Sequence, residues 1–302
     1  MAEARFSRIV MVDWSAADGP SAARPVKDAI HAGLADADGC ETFYFRTRAD
    51  CMGWVAGLAR KTIAEGGRML AGFDFAFGYP VGAAFALAGR PDALALWRRL
   101  SEVIEDDAGS NRSNRFDAAA ALNDAFPGEG PFWGHPQGRR YDGLSPKKGP
   151  GHPDHPPELR LCETHARTMP GADGQAQPVW KLAYPGSVGS QALLGVKALE
   201  GLRQAPGLAG SVAVWPFEGG FVQPDAPVTL AEIFPSLWAS AIEAARGPEE
   251  IRDVAQVRFL AERFSALDRA GALEGLFARP AGLSEAEAWI AAREEGWILG
   301  IE

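Results

Sequence analysis

The chain has 302 residues, of which 47% are hydrophobic and 23% charged, as in an ordinary globular protein with a substantial core. Its formal net charge of −9 argues against a nonspecific nucleic-acid coat, and no apolar run approaches the roughly 20 residues of a membrane helix. The amino terminus lacks a signal-peptide core and the three cysteines form no C-x-x-C pair, so we expect a cytoplasmic protein without disulfides.

The first apolar run, residues 8–13, is hydrophobic on both faces and ends in Asp13. It predicts a strand buried on both sides, in a sheet that helices cover. Such sheets place their chemistry at the carboxyl ends of the strands, although a lone aspartate there more often caps the following turn. Residues 29–34 and 41–46 are the next predicted strands, and an amphipathic helix runs from 47 to the glycines at 66–67.

A second apolar run, residues 69–73, also ends in an aspartate, Asp74, before a Gly-Tyr-Pro turn. Three strands, a helix and a fourth strand predict a meander followed by a crossover that returns the fourth strand beside the first. This adjacency would bring Asp13 and Asp74 together at one edge of the sheet. Two neighbouring aspartates of this kind are typical of a metal site.

The middle of the chain is helical and then irregular. Residues 83–87, 91–104 and 116–125 have helical patterns, whereas 127–158 is rich in proline and glycine and is predicted to be a lid or an ordered surface loop. Between 111 and 181 there are nine Lys and Arg against eight Asp and Glu, which leaves −10 on the rest of the chain. Any anion-binding surface is therefore expected in this segment.

Two loops of this segment are candidates for phosphate binding, and we expect both to face the aspartate edge. The first precedes a helix and carries two arginines, while the second is a Gly-Ser turn before the next helix that resembles a phosphate cradle but is not a Walker A motif. The candidate side chains are Arg112, Arg115, Lys181, Ser187, Ser190 and Gln191. A solvated loop and an ordinary helix cap remain alternatives. As a surface contact, Arg115 should contribute under about 1 kcal/mol to the fold.

Two further carboxylates occur late in the chain. Glu232 lies inside the predicted strand 228–235, where an unpaired carboxylate is costly to bury. Asp253 lies in the first turn of a helix that begins near residue 248, where the helix dipole alone can favour an acid. Another strand is predicted over 211–218, and a capped helix over 284–290.

The order of these carboxylates resembles the ribonuclease H-like fold, and more narrowly a family of predicted nucleases with that fold, known as a domain of unknown function. The matching motifs are Val12-Asp13, Asp74-Phe75-Ala76-Phe77-Gly78-Tyr79-Pro80, Glu232-Ile233-Phe234-Pro235 and Asp253-Val254-Ala255. The resemblance spans nearly the whole chain through short motifs, and Trp14-Ser15 after the first aspartate departs from it. It implies one α/β domain over 1–302, with a mixed sheet, helices on both faces and an irregular Pro-rich insertion around 127–158.

The resemblance also implies a divalent-metal-dependent phosphodiester hydrolase. Asp13, Asp74, Glu232 and Asp253 would be catalytic and would bind Mg²⁺ or Mn²⁺, which prefer carboxylate oxygens. The acidic balance favours a small nucleotide or a short nucleic acid as substrate. One alternative is a non-catalytic binding protein on the same fold. Another is a phosphoryl-transfer enzyme that handles a nucleotide or a cofactor, for example in molybdopterin-guanine dinucleotide biosynthesis.

Overall fold

The computed structural model describes residues 5–168 and 176–301, which form a six-stranded mixed sheet with helices on both faces. The strands are β1 Arg8–Asp13, β2 Ile30–Ala35, β3 Cys40–Phe45, β4 Met69–Phe73, β5 Val212–Val214 and β6 Val228–Glu232. Their order is β3-β2-β1-β4-β6-β5. β2 is antiparallel to β1 and β3, and the other neighbours are parallel. The predicted α/β class is confirmed, and β4 returns beside β1.

Helices pack on both faces of this sheet and are numbered in chain order. They are α1 Arg48–Ala64, α2 Ala83–Ala88, α3 Ala93–Val103, α4 Arg115–Asn123, α5 Leu161–Ala166, α6 Gly189–Arg203, α7 Ala239–Ala245, α8 Arg252–Arg269 and α9 Glu285–Ile290. α7 was not predicted from the sequence, because it buries only Ile242 and so lacks an apolar stripe. Within the described ranges, every helix is too short or too polar to cross a membrane.

Alternate residues of each strand enter two different hydrophobic cores, because successive strand side chains point to opposite faces of a sheet. Val10, Val12 and Phe73 pack in the larger core, which also contains side chains of α1, α3 and α6. Met11 and Leu70 pack in the smaller core with α8. A residue that follows Val12 or Phe73 by one position therefore points to the α8 side of the sheet.

α8 lies close to the sheet because β2 carries a glycine where the two meet. A Cβ on Gly33 would meet the backbone carbonyl of Val257, so a larger residue would push the helix away. Gly33 is paired with Met11 of β1, which places this contact beside the first strand. Asp253 precedes Val257 by one helical turn and lies on the same side of α8.

The segment between α4 and α5, residues 124–160, contains turns and isolated bridges rather than helices or longer strands. It is anchored by aromatic packing: the rings of Phe132 and Trp180 lie 5.8 and 5.3 Å from that of Tyr79. Tyr79 belongs to the loop that follows Asp74. The Pro-rich segment is therefore tied to the loop that carries one of the candidate site residues.

Candidate functional site

Asp13 and Asp74 lie side by side at the carboxyl ends of β1 and β4. The two strands are parallel with Val12 opposite Phe73, and the next residue of each is the aspartate. The Trp14 N–H donates to Asp74 Oδ1 at 2.7 Å. The two carboxyl groups are also hydrogen-bonded to each other, which requires that one of them is protonated. With both groups ionised the pair would be unfavourable, so a proton or a cation between the two carboxylates stabilises the site.

Burial and like charge raise the pKa of both groups. The pKa of Asp13 lies well above its usual value, chiefly because of desolvation and then because of the charges of Asp74 and Asp253. Desolvation raises the pKa of Asp74 to about 7, although the Trp14 N–H works in the opposite direction. As whole residues Asp13 and Asp74 are both partly exposed, so the pair lies near the surface end of the two strands. Perturbed neighbouring acids of this kind are a feature of functional sites.

Asp253 is a third carboxylate on the same face of the sheet. It is buried in the first turn of α8, and its Oδ2 accepts the N–H of Asp28 at 2.6 Å. The carbonyl of Asp28 in turn accepts a 3.0 Å hydrogen bond from the Ser15 hydroxyl. Asp253 thus holds the turn before β2 against the loop after β1, while its charge raises the pKa of Asp13.

Glu232 does not join the three aspartates. It is in register with Phe73, so its side chain points to the face opposite that of Asp74. Its carboxylate accepts two hydrogen bonds from the Arg160 guanidinium, at 2.6 and 2.8 Å, and one from the Phe77 N–H at 2.9 Å. Both members of the ion pair are buried. The expected role of Glu232 as a catalytic metal ligand is therefore corrected: it neutralises an interior arginine.

The donor set can be compared with the needs of a divalent cation. Within residues 5–168 and 176–301, no three acidic, histidine or cysteine side chains already surround a common point as ligands. Mg²⁺, however, is often held by one or two carboxylates, with waters and substrate phosphates as the other ligands. Asp13 and Asp74 supply two such carboxylates, and a cation would relieve their repulsion as the shared proton does. These residues therefore fit Mg²⁺ or Mn²⁺.

The start of α6 lies against the loop that follows Asp13. The side-chain amide of Gln191 donates to the Trp14 carbonyl at 2.7 Å. Ser190 is buried, and its hydroxyl accepts a 3.2 Å hydrogen bond from Arg115 Nε. The structure thus places Gln191 against the residue that follows Asp13 and joins Ser190 to Arg115, which comes from a separate loop.

Arg115 is 7% exposed, so it is not the surface contact that the sequence suggested. It also donates to the Ser113 hydroxyl at 2.7 Å, faces Asp18 at 3.5 Å and lies over the Phe116 ring at 4.6 Å. Desolvation lowers its pKa. The arginine is an internal brace between the start of α4, the start of α6 and the loop after β1.

The other predicted phosphate ligands make their contacts away from the aspartate pair. Arg112 is exposed and lines an open hollow with the acidic residues 105–107. The Lys181 ammonium donates to a backbone carbonyl four residues along its own loop at 2.7 Å and lies 5.8 Å from the Trp133 ring. Ser187 is partly buried in that same turn. Nothing in these contacts links the three side chains to the aspartate pair.

Arg48, which was not predicted as a site residue, fixes the loop after Asp13. Its guanidinium donates to the carbonyls of Ser15 and Ala17 at 3.2 and 2.9 Å, and forms a two-point ion pair with Asp106 at 2.6 and 2.7 Å. Arg48 opens α1, where the helix dipole disfavours a positive charge. An arginine at this unfavourable position indicates that its side chain has an ion-pair partner elsewhere in the fold, and this was visible in the sequence.

Compared with models of known protein families, with curated proteins and with solved structures, the chain shows no significant match. The chemistry of the site therefore has to be inferred from its own residues.

Proposed function

We propose that the chain is a divalent-metal-dependent phosphodiester hydrolase in which Asp13 and Asp74 bind Mg²⁺ or Mn²⁺. The observation that carries this proposal is the hydrogen-bonded carboxyl pair at the ends of two adjacent parallel strands. A desolvated pair of acids is unfavourable unless a proton or a cation lies between them. Its position at the carboxyl edge of a mixed sheet is where such folds bind ligands.

The sheet topology supports a ribonuclease H-like assignment. An antiparallel β1-β2-β3 meander, then α1, then a parallel β4 beside β1, is the arrangement that the order of the elements predicts, and it agrees with the mixed sheet that the resemblance implies. In addition, α8 covers the face onto which Asp13 and Asp74 point, and it supplies Asp253. Asp253, the late aspartate of the family pattern, therefore lies on the same side of the sheet as the pair, whereas Glu232 forms an ion pair with Arg160.

The residues around the pair suit a phosphate ester. A bound divalent ion would activate water and offset the charge on the leaving oxygen. The first N–H groups of α6, a helix of 15 residues, carry partial positive charge beside Ser190 and Arg115. Because Asp18 is 41% exposed and 3.5 Å from Arg115, a substrate phosphate could replace it as the partner of the guanidinium.

The substrate that fits best is a small nucleotide or a short nucleic acid. The chain carries a net charge of −9, so it lacks the basic excess with which proteins hold long polynucleotides. A single buried arginine, with a helix start beside it, can instead hold one or two phosphate groups.

A second candidate is a nucleotide-binding protein without catalysis on the same fold. The internal ion pair of Arg115 with Asp18 favours it, because the arginine already has an anionic partner. Hydrolysis separates the two functions: the binding protein would retain a nucleotide and leave its phosphodiester intact.

The proposal is tested by calorimetric titration with Mg²⁺ and Mn²⁺, followed by hydrolysis assays on dinucleotides, cyclic nucleotides and a short single strand. Asp13→Asn and Asp74→Asn should each lower metal affinity and hydrolysis by about 100-fold or more, since even outer-shell changes cost 10–100-fold. Asp225→Asn is the matched control, because Asp225 is an exposed aspartate paired with Arg68. Equal metal binding by all four proteins would refute the proposal.

A further inference from the structure

The Pro-rich segment encloses a hollow of about 360 Å³ that the proposed hydrolysis leaves unexplained. Two glycine- and proline-containing stretches, residues 128–133 and 148–156, form most of its wall. The side chains that characterise it are Glu129, Phe132, Trp133, Lys148, His155 and Trp180. Its volume is in the range of small-molecule sites.

The wall of this hollow is rich in aromatic rings. Phe132 and Trp180 are buried and packed edge to face, with their centroids 4.9 Å apart, so they form a rigid floor. Trp133 and His155 are partly exposed and line the same space. Flat, fixed rings bind planar aromatic ligands by stacking, and this holds for every nucleobase.

The rim of the hollow adds both hydrogen-bond donors and hydrogen-bond acceptors. Lys148 and Glu158 form a half-exposed ion pair at 2.7 Å, and Glu129 is an exposed carboxylate in the same lining. The edge of a nucleobase carries both N–H donors and acceptor atoms, so it can use an ammonium and a carboxylate together. A proline-rich peptide also suits aromatic grooves but offers few N–H donors to the carboxylates. The mixed rim therefore favours a base.

The hollow is connected to the phosphate side of the candidate site by direct hydrogen bonds. The Trp133 N–H donates to the Trp180 carbonyl at 3.1 Å, and the Trp133 carbonyl accepts the Leu182 N–H at 2.9 Å. The Leu182 carbonyl accepts the Ser190 hydroxyl at 2.7 Å, and Ser190 binds Arg115. A short series of hydrogen bonds therefore connects the aromatic floor of the hollow to Ser190 and Arg115, the proposed phosphate ligands.

We propose that this hollow binds a nucleobase of the substrate, which makes the substrate class a nucleotide or a single strand with an unpaired base. A base within a duplex cannot reach the aromatic floor of this hollow without being flipped out. This inference rests on the proposed function for the identity of the substrate, but base binding itself needs neither metal nor catalysis.

The test is calorimetric titration of the whole protein in EDTA with adenosine, guanosine, cytidine and uridine, and with ribose as the base-free probe. The nucleosides should bind and ribose should not. Trp133→Leu should weaken nucleoside binding about tenfold or more, as expected for a lost stacking partner. Trp289→Leu is the matched control, because Trp289 is a 55% exposed indole on α9, outside the hollow.

Glu129→Gln changes an exposed residue and so tests the rim without risk to the fold. It should weaken guanosine most, by about threefold or more, because guanine presents the most N–H donors to a carboxylate. Equal effects of Trp133→Leu and Trp289→Leu, nucleosides that bind no better than ribose, or a proline-rich decapeptide that binds in their place would each overturn the inference.

The two proposals fail in different ways. Nucleoside binding in EDTA without any hydrolysis in Mg²⁺ or Mn²⁺ retains the base pocket and rejects the hydrolase. Hydrolysis of an abasic phosphodiester as fast as of the matching dinucleotide retains the hydrolase and rejects the base pocket.

Discussion

The backbone N–H of Trp14 donates a 2.7 Å hydrogen bond to Asp74 Oδ1. This bond joins the residue after Asp13 to the side chain at the end of the neighbouring strand. It therefore fixes the orientation of the Asp74 carboxyl while that group also shares a hydrogen bond with Asp13. The pair lies at the ends of two hydrogen-bonded strands and is fixed by the first backbone N–H after β1, which is the kind of preorganisation that a metal site requires.

The first prediction concerns the pH dependence of stability without metal. Because the folded pKa of Asp74 is raised from 3.8 to about 7, the folded protein binds more protons than the unfolded chain across this range. This group therefore makes the protein less stable as the pH rises from about 4 to about 7. Asp74→Asn keeps the acceptor for Trp14 and removes the charge. In urea denaturation with EDTA, it should be more stable than wild type at pH 8 by on the order of 2 kcal/mol.

At pH 4 most of the advantage of Asp74→Asn should vanish, since the folded pair is then protonated and the unfolded carboxyl groups are close to half protonated. Other buried acids with raised pKa values, such as Glu163 and Glu295, add their own pH dependence. These contributions cancel when the free energy of unfolding of wild type is subtracted from that of the variant at each pH. A constant difference from pH 4 to pH 8 would contradict the assignment of a shared proton.

The second prediction is that metal binding releases a proton. Below about pH 7 the Asp13–Asp74 pair retains a proton that a divalent cation must displace. Titration with Mn²⁺ at pH 6 in buffers of different ionisation enthalpy should show release of at least one proton per ion. Asp225→Asn should behave as wild type. Binding without proton release would place the cation away from this pair.

The arrangement of Asp13 and Asp74 was predictable because it depends on local signals: apolar runs that end in aspartate, and a crossover that returns one strand beside the other. The side of the sheet to which Glu232 points could not be predicted, because a shift of one residue in strand register moves a side chain to the opposite face. Arg115 and Arg48 have partners such as Ser190 and Asp106, which lie 75 and 58 residues away. No local pattern contains that information.

The third prediction separates structural from catalytic carboxylates. Glu232→Gln removes the charge opposite the buried guanidinium of Arg160, which retains Glu163 as its other close ion-pair partner, at 2.9 Å. Loss of a buried ion-pair partner should lower the free energy of unfolding by roughly 3 kcal/mol. The folded variant should bind Mn²⁺ with wild-type affinity. Loss of Mn²⁺ binding in a protein that is still folded would restore Glu232 as a ligand.

The fourth prediction concerns Arg115. Because it is buried and bonded to Ser113 and Ser190, Arg115→Ala should cost more than about 1 kcal/mol of stability, through lost hydrogen bonds and packing. Its effect on nucleotide affinity should change little between low and high salt, since a buried contact is weakly screened. Affinity measured at two salt concentrations checks this. A loss that disappears at high salt would indicate an exposed contact after all.

The last prediction concerns Arg48, the residue that holds the loop after β1. Arg48→Met keeps most of the buried aliphatic length and removes the donors to the Ser15 and Ala17 carbonyls and to the carboxylate of Asp106. Breaking this largely buried ion pair should cost roughly 3 kcal/mol of stability. The freed loop should also become a site of proteolytic cleavage.

Asp13 directly precedes that loop, so Arg48→Met should also weaken Mn²⁺ binding in the protein that remains folded. Arg60→Met is the matched control, because Arg60 is an exposed arginine of the same helix that donates to the carbonyl of Pro206, outside the loop after β1. Limited proteolysis and Mn²⁺ titration on both variants measure the two effects. If Arg48→Met lost stability but kept wild-type Mn²⁺ affinity, the loop would be held independently of the aspartate pair. Arg48 would then be a purely structural residue of the first helix.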